Sequence, residues 1–448
     1  MRLPKLELGF FGDMPGRKFG ILFVVFAMLL SGLTEPRCVA QISSDQTRTG
    51  LANREARWWK GNLHTHSLWS DGDDFPDMIA SWYAERDYNF LALSDHNILS
   101  RGVRWMKLAD IKERAEPDVL EKYIDKFGED WVEVRGDSEA TREVRLKPLD
   151  EFAPLLEKAG KFILIPGEEI SDRAAGKPVH MNATNVAELI DPVGGSTVRE
   201  AMQNNLRLVL EQEKRLGRQI LPHLNHPNFG YAVTAEDLAS VVQERFFEVY
   251  NGHPSVGHLG NDKNISIERM WDVANAIRMA QLGAAPLYGV ATDDSHEYHG
   301  RPGSRPGRGW VMVRSKFLSP DHLIMAMKRG DFYASSGVVL NDVQFDKATQ
   351  TLSLQVEDDS DAEFKIDFVA TLKPSKDGEL PPNESIGKIV SSVEGKVASY
   401  KFTGNELYVR AVVTSSLPAD DPSFKNQMQQ AWTQPVVAVD KAATDSNN

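Results

Sequence analysis

Seven short apolar runs in this chain each carry histidine or a carboxylate, and this recurrence constrains the fold most. Each run has the length and composition of a buried strand, and helical patterns lie between the runs. Strands that alternate with helices favour parallel sheets. The pattern therefore predicts an α/β fold over residues 58–336, as a parallel α/β barrel or a doubly wound sheet. The runs are WWKGNLHTH, FLALSDH, KFILIPGEE, PVHMNATNV, RQILPHLNH, FFEVYNG and LYGVATDDSH.

Two regions differ from this alternation. Residues 100–160 are charged and mostly helical in pattern, and they lie between two of the runs, so they insert at the strand ends. A substrate lid and a solvated insertion without function both fit such a segment. Residues 337–440 alternate with period two between turn residues, which predicts a small all-β, sandwich-like domain before a polar tail at 441–448.

The first 40 residues predict export. Arg17 and Lys18 precede an apolar run at 19–33, and small residues precede Gln41, which is typical of a secretory signal. The run has 15 residues, whereas a helix needs about 20 to span a bilayer. An uncleaved membrane anchor is the alternative. A polar linker follows at 41–57, so we expect a secreted or periplasmic protein with no stable membrane span after processing.

Composition excludes several classes of function. The single cysteine, Cys38, lies in the predicted signal, which excludes a disulfide framework and cysteine-based zinc or iron–sulfur sites. A formal net charge of -13 makes a surface that repels phosphate backbones, so we expect no sequence-specific nucleic-acid partner. A small anionic substrate stays possible because a local site can oppose the net charge. The oligomeric state is not predicted.

The histidines and carboxylates of the runs predict a metal site. His64 and His66 are two residues apart, which places both imidazoles on one face of a strand. Any single histidine near a strand end could be structural, but recurrence at the same end of nearly every strand marks where α/β barrels carry their chemistry. Imidazole and carboxylate without thiolate suit zinc, manganese or iron.

Taken in order, the motifs resemble the PHP (polymerase and histidinol phosphatase) superfamily over about residues 59–335. They are HTHSLWSDG, LSDHN, PGEEIS, the histidine of PVHMN, LPHLNHPN, EVYNG and TDDSH. The resemblance implies a distorted (β/α)7 barrel with two or three divalent metal ions in a cleft at the carboxyl ends of the strands. The β-domain would follow this barrel.

The resemblance also implies three groups of metal ligands. His64, His66, Glu169 and Asp294 would hold the first ion, Glu169 would bridge to a second ion held by His180 and His226, and Asp71, His96 and His296 would hold a third. The last motif usually reads SDxH, so Asp294 is assigned by its spacing to His296. Glu169 is chosen over Glu168 by its spacing from Gly167.

Several neighbours of these motifs have weaker interpretations. Glu248 and Asn251 would orient ligands or substrate, and Asp95 could accept a hydrogen bond from the free ring nitrogen of a ligating histidine. His223 is interpreted as a neighbour of the ligands or a core residue. His253 and His258 are interpreted as plain loop residues.

The predicted reaction is attack of metal-bound hydroxide on the phosphorus of a small phosphate ester. Asp293, His299 or a metal-bound water would be the general acid, and the sequence does not separate them. Arg301, Arg305 and Arg308 could clamp the phosphate. A solvated turn is favoured for the first two, and the two interpretations are balanced for Arg308.

Two other functions stay open. The same hydroxide could attack a carbonyl, which would make the protein an amide, ester or carbamate hydrolase with an oxyanion stabiliser. Arg308 in the cleft would favour the phosphoesterase, and a purely apolar pocket would favour the carbonyl hydrolase. A non-enzymatic binding module that uses the β-domain is the third hypothesis, and the complete set of ligand positions argues against it.

Overall fold

The computed structural model describes residues 55–357 and 361–438. The predicted signal at 1–40, most of the linker and the polar tail lie outside the described residues. Within the described ranges, no helix combines the length and apolar character that crossing a membrane requires.

The strands and helices follow one another in chain order. The strands are β1 Arg57–Asn62, β2 Phe90–Leu93, β3 Arg104–Lys107, β4 Val134–Arg135, β5 Glu143–Leu146, β6 Ile163–Ala174, β7 Lys177–Thr184, β8 Leu221–Leu224, β9 Phe246–Asn251, β10 Tyr288–Thr292, β11 Trp310–Ser315, β12 Phe332–Ser335, β13 Leu340–Asp346, β14 Thr351–Val356, β15 Phe364–Leu372, β16 Lys388–Glu394, β17 Val397–Lys401, β18 Glu406–Pro418 and β19 Met428–Thr433. The α-helices are α1 Pro76–Ala84, α2 Leu108–Arg114, α3 Val119–Phe127, α4 Leu149–Leu156, α5 Val198–Leu216, α6 Ala235–Ser240, α7 Ile267–Ala276 and α8 Pro320–Lys328.

Local sequence signals explain the ends of the helices that flank the site. Thr197 caps α5 by accepting a hydrogen bond from the backbone N of Glu200, and Gly217 ends the helix at a φ of 61°. Thr234 and Asp237 form a reciprocal capping box at the start of α6. These caps fix where the chain enters and leaves the helices between the strands.

The α/β part is built on a large mixed sheet, with strand order β10-β9-β8-β7-β6-β2-β1-β11-β12. β1, β2 and β6 are parallel, as are β8, β9 and β10. β7 is antiparallel to β6 and β8, so the expectation of a parallel sheet is wrong at this strand. The reason is a two-residue hairpin: Ala175 and Gly176 both have positive φ, at 50° and 76°, and turn β6 straight into β7.

The loops after β1 and β10 meet at the carboxyl ends of the strands. Thr65 forms an isolated parallel bridge with Ser295, and the backbone N of His66 donates to Ser295 O at 2.9 Å. This contact joins the two ends of the row from β10 to β1 on the side where the motifs lie. The structure shows an α/β fold with a mixed sheet, and the distorted (β/α)7 barrel stays a prediction.

The insertion between β2 and β6 contains β3, β4 and β5 in addition to its helices. Its core side chains, among them Ile111, Tyr123 and Val144, pack against Leu68 and Trp69 of the loop after β1. The mostly helical interpretation of this segment missed these strands, because β4 has two residues and the alternation of polar and apolar residues in β5 covers only four. The insertion therefore supports the loop that precedes Asp71.

The C-terminal part is all-β and sandwich-like. The sheet β13-β14-β17 and the strands β15, β16, β18 and β19 bury a shared core that includes Leu354, Ile366, Phe368 and Val413. β19 also pairs with β12, so the large sheet continues across the predicted boundary at residue 336. A sequence pattern reports local periodicity, and it cannot show that a late strand pairs with an earlier one.

Candidate metal centre

The nine residues predicted as metal ligands lie in one connected cluster on the side of the carboxyl ends of the parallel strands, to which the antiparallel β7 contributes His180. His64, His66 and Asp71 follow β1, His96 follows β2, Glu169 lies on β6, His180 on β7, His226 follows β8, and Asp294 and His296 follow β10. The bridge between Thr65 and Ser295 brings the first and last of these segments together.

The centre of the cluster is a group of four donor atoms. His64 Nε2 and His66 Nε2 both lie 3.2 Å from Asp294 Oδ1, and 3.5 and 3.4 Å from Glu169 Oε2. His64 Nε2, His66 Nε2 and Glu169 Oε2 are buried without a hydrogen-bond partner. His96 Nδ1 also approaches Glu169 Oε2 to 2.6 Å, without the alignment of a hydrogen bond.

These orphaned atoms fit a divalent cation. A buried polar atom without a partner costs about 1–3 kcal/mol, so three that face one another would be unfavourable without a ligand. Two imidazole nitrogens and two carboxylate oxygens are the donor set of zinc, manganese or iron. His64, His66 and Glu169 have the geometry of a metal-binding group.

Glu169 connects this group to a second one through its other oxygen. His180 Nδ1 lies 3.0 Å and His226 Nε2 3.6 Å from Glu169 Oε1. The two oxygens of one carboxylate thus face different histidines, three at Oε2 and two at Oε1, which is the arrangement of a bridging ligand. Asn225 Nδ2 donates to Oε1 at 2.7 Å and fixes the carboxylate.

Asp71 gathers the remaining histidines at the rim. Its carboxylate lies 3.4 Å from His296 Nε2, 3.5 Å from His96 Nε2 and 3.7 Å from His66 Nδ1. The Asp71 side chain is 55% exposed, whereas His64 and His66 are fully buried. The cluster is therefore open to solvent on the side of Asp71.

Glu248 on β9 orients two of the predicted ligands, His64 and His226, through hydrogen bonds. Its carboxylate accepts hydrogen bonds of 2.7 Å from His64 Nδ1, Thr292 Oγ1, the backbone N of His226 and Asn251 Nδ2. The bond to Nδ1 places the proton of His64 there and leaves the lone pair on Nε2, the atom in the central group. The tautomer of His64 is thus assigned from its hydrogen bond to Glu248.

Backbone conformation also directs ligands into the cluster. His226 and Asp294 have φ values of 23° and 49°, which residues other than glycine rarely adopt. The sequence interpretation missed Asn225 and Thr292, which support Glu169 and Glu248. The sequence signal that could have identified them is their position, one residue before His226 and two residues before Asp294.

Strand alternation separates Glu168 from Glu169. Neighbours on a strand point to opposite faces, so Glu168 points away from the histidines and accepts a hydrogen bond from the backbone N of Ile190 at 3.0 Å. Burial raises the pKa of Glu168 to about 8. His223 is fully buried on β8, and its Nε2 lies 3.5 Å from Glu248 Oε1.

Asp95 has a different role from the one that the sequence suggested. Its carboxylate accepts hydrogen bonds from the backbone N and Oγ of Ser67, both at 2.8 Å, and from Ser70 Oγ at 2.7 Å. It therefore holds the loop before Asp71, and none of its hydrogen bonds comes from a ligand histidine. Asn251 also donates to Asp294 Oδ2 at 3.1 Å.

Three of the five side chains predicted as general acid or phosphate clamp have the following partners outside the cluster. Asp293 accepts hydrogen bonds from the backbone N atoms of residues 307–309 at 2.7–2.9 Å and from Tyr83 Oη at 2.7 Å. His299 Nδ1 lies 2.6 Å from Glu116 of the insertion. Arg308 pairs with Asp421 at 3.0 Å and donates to Gly252 O and Gly303 O. The contacts of Asp293, His299 and Arg308 in the described residues hold the neighbouring loops in place.

The charges of the cluster are strongly coupled. Burial, together with His296 and His96, lowers the pKa of His66 to about 3, which keeps this imidazole neutral. Burial alone would lower the pKa of His96, but Glu169 and Asp71 raise it to about 11. Against the same effect of burial, Asp71 and Asp294 raise the pKa of His296 to about 9. Protons on these rings balance the carboxylates, and a cation would displace them.

Comparison with known proteins gives few matches. No family model and no curated protein matches the chain. A solved two-domain protein from Bacteroides vulgatus, which contains a predicted PHP-like metal-dependent phosphoesterase, covers 85% of this chain and 96% of its own at 16% identity and a TM-score of 0.36.

A second solved structure, from Bifidobacterium adolescentis, is also a metal-dependent phosphoesterase by prediction. The match covers 55% of this chain and 90% of that protein, at 13% identity and a TM-score of 0.28.

Proposed function

We propose that this chain is a metal-dependent hydrolase of the PHP type that acts on a phosphate ester. The observation that carries the proposal is the central group of His64 Nε2, His66 Nε2, Glu169 Oε2 and Asp294 Oδ1. Three of these buried atoms have no hydrogen-bond partner, and all four converge within 3.2–3.5 Å of one another across the histidine–carboxylate pairs.

The contacts support the three ligand groups that the resemblance implies. His64, His66, Glu169 and Asp294 would hold one ion, Glu169 with His180 and His226 a second, and Asp71, His96 and His296 a third. When bound, such ions lower the pKa of water and stabilise negative charge on the reacting group.

The side chains of the protein prepare this site in three ways. Glu248 holds the proton of His64 on Nδ1, so that Nε2 can bind a cation. Asn225 fixes the Glu169 carboxylate between its two groups of histidines. The partly exposed Asp71 and His96 mark the side from which a substrate can enter.

Charge favours a phosphate substrate. The carboxylates of Asp71, Glu169, Asp294 and Glu248 bring four negative charges to the cluster. Although burial opposes ionisation, His64 and His223 hold the pKa of Glu248 below its ordinary value. Three divalent cations would exceed these charges by two, which attracts a dianion despite the net charge of -13.

A carbonyl hydrolase is the second candidate, because Arg308 does not offer the phosphate clamp that would have supported the phosphoesterase. The side chain of Arg308 is 3% exposed and bound to Asp421 and two backbone carbonyls. It is therefore not free to bind a phosphate group.

The test is a substrate panel on the purified protein after chelation and reloading with zinc, manganese or iron. The panel contains phosphomonoesters, phosphodiesters, carboxyl esters, amides and carbamates. We expect metal-dependent turnover of a phosphate ester, lost together with bound metal in Glu169→Gln and retained in the matched control Glu168→Gln. Turnover of carbonyl substrates alone would select the second candidate.

We further propose that residues 1–40 direct export and are then removed. The basic residues, apolar run and small residues before Gln41 support this. Mass spectrometry of the exported protein, expressed with its own N-terminus, should find a chain that begins at Gln41. A membrane-bound chain that retains residues 19–33 would contradict the proposal.

A further inference from the structure

His253, interpreted from sequence as a plain loop residue, lies at the rim of the cluster. It follows β9, and its ring centroid is 6.1 Å from that of His296, in an edge-on arrangement. Phe229 lies against both His253, at 5.6 Å, and His226, at 5.0 Å. His253 therefore stands between the side chains of two of the proposed ligand groups.

The hydrogen bonds of the loop determine which nitrogen of His253 carries the proton. The backbone N of Ser255 donates to His253 Nδ1 at 3.1 Å. A backbone N–H can only donate, so Nδ1 must present its lone pair and the ring proton lies on Nε2. The backbone N of His253 donates to Asn251 Oδ1 at 2.7 Å, and Val256 N donates to His253 O at 3.1 Å, which fixes the turn.

His253 Nε2 is a donor without an acceptor among the described residues. It is not among the buried polar atoms that lack a partner, so it reaches solvent at the rim. The carboxylate of Asp293 and the guanidinium of Arg308 are engaged elsewhere, and His299 Nδ1 contacts Glu116. His299 Nε2 is buried without a hydrogen-bond partner, and it faces Asp74 at 3.7 Å rather than a predicted ligand.

We propose that His253 contacts the substrate, with Nε2–H donating a hydrogen bond to an oxygen of the reacting phosphoryl group. The inference rests on the proposed function. Because Nδ1 already accepts a hydrogen bond, the ring is a neutral donor of fixed orientation and is not a proton-transfer acid. A fixed donor aimed where negative charge develops stabilises that charge without reorganisation.

The experiment compares His253→Ala, His253→Phe and His253→Gln in the metal-loaded full chain. We expect kcat/KM for the best phosphate ester of the panel to fall about 100–1000-fold in the first two variants. Glutamine should stay within about 10-fold, because its amide nitrogen can donate from near the position of Nε2. Exposed His322 on α8 provides the matched control His322→Ala, which should equal the wild type.

Two further measurements separate this role from others. Metal content should be equal in all variants. Inorganic phosphate, titrated calorimetrically into the loaded protein, should bind at least about 10-fold more weakly to His253→Ala than to the wild type.

Each outcome decides the proposal. It fails if His253→Ala keeps wild-type kcat/KM, if glutamine is no better than phenylalanine, or if the variants lose metal. A loaded wild type that neither hydrolyses phosphate esters nor binds phosphate overturns the proposed function, and this inference falls with it. An active wild type with an indifferent His253 overturns this inference alone.

Discussion

Replacing Glu248 by glutamine should weaken metal binding although it removes no ligand. The carboxylate accepts four hydrogen bonds of 2.7 Å, from His64, Thr292, His226 and Asn251. Glutamine has one oxygen and one NH2 group in place of two oxygens. Its nitrogen must therefore face two donors in either orientation.

Both orientations disturb a ligand. With nitrogen at the Oε2 position, it opposes the backbone N–H of His226, which cannot reverse, and each lost buried hydrogen bond costs about 1–3 kcal/mol. With nitrogen at Oε1, His64 Nδ1 must accept, and the ring proton moves to Nε2, the atom that faces Glu169 and Asp294. We expect zinc affinity to fall by about 10–100-fold.

Zinc affinity is measured by competition with a chromophoric chelator, and metal content by elemental analysis. Glu168→Gln is the control, because it makes the same chemical change on a buried glutamate that faces away from the histidines. Equal zinc affinity in Glu248→Gln and the wild type would refute the reasoning, as would an equal loss in the control.

Three further predictions follow from buried charges. Burial raises the pKa of Glu244 to about 7, so the folded state retains a proton that the unfolded state loses, and stability falls as pH rises from the ordinary pKa of 4.5 through 7. Urea unfolding should show Glu244→Gln gaining about 3 kcal/mol relative to wild type at pH 8 compared with pH 5; a pH-independent difference contradicts this. Because the pKa values of His96 and His296 are about 11 and 9, zinc binding at pH 7 should release protons, seen by calorimetry in buffers of different ionisation enthalpy; equal heats in all buffers would argue against it. Asp272→Asn should destabilise the fold by about 3–5 kcal/mol, because it removes the carboxylate 2.8 Å from buried Arg410 and leaves the guanidinium only the more distant Glu268 at 3.4 Å, and Arg410→Met in addition should recover part of the loss; unfolding midpoints unchanged in the single variant would rule this out.

Sequence spacing was sufficient for much of the candidate site. The two-residue spacing of His64 with His66 indicates side chains on one face, and the motifs of the resemblance select Asp294 by its spacing to His296 and Glu169 by its spacing from Gly167. These are local properties, which the order of residues encodes directly.

The remaining features depend on contacts between distant residues. Asp293 is adjacent to a ligand, yet its direction is set by backbone N–H groups of residues 307–309. The orientation of His253 depends on a single hydrogen bond from Ser255. The antiparallel course of β7 follows from a hairpin of Ala175 and Gly176, a weak turn signal between two apolar runs.

The pairing of β19 with β12 has a consequence for biosynthesis. Residues 428–433 form β19, which pairs with β12, the last strand of the α/β part. Trp432 also stacks on Tyr250, one residue before Asn251, with 6.0 Å between the ring centroids. This segment is synthesised near the end of translation. The edge of β12 therefore stays unpaired in the nascent chain until β19 has been made. A chain that terminates before residue 428 would lack β19, the strand that pairs with β12. We therefore expect the α/β part and the C-terminal part to resist proteolysis only when both are present.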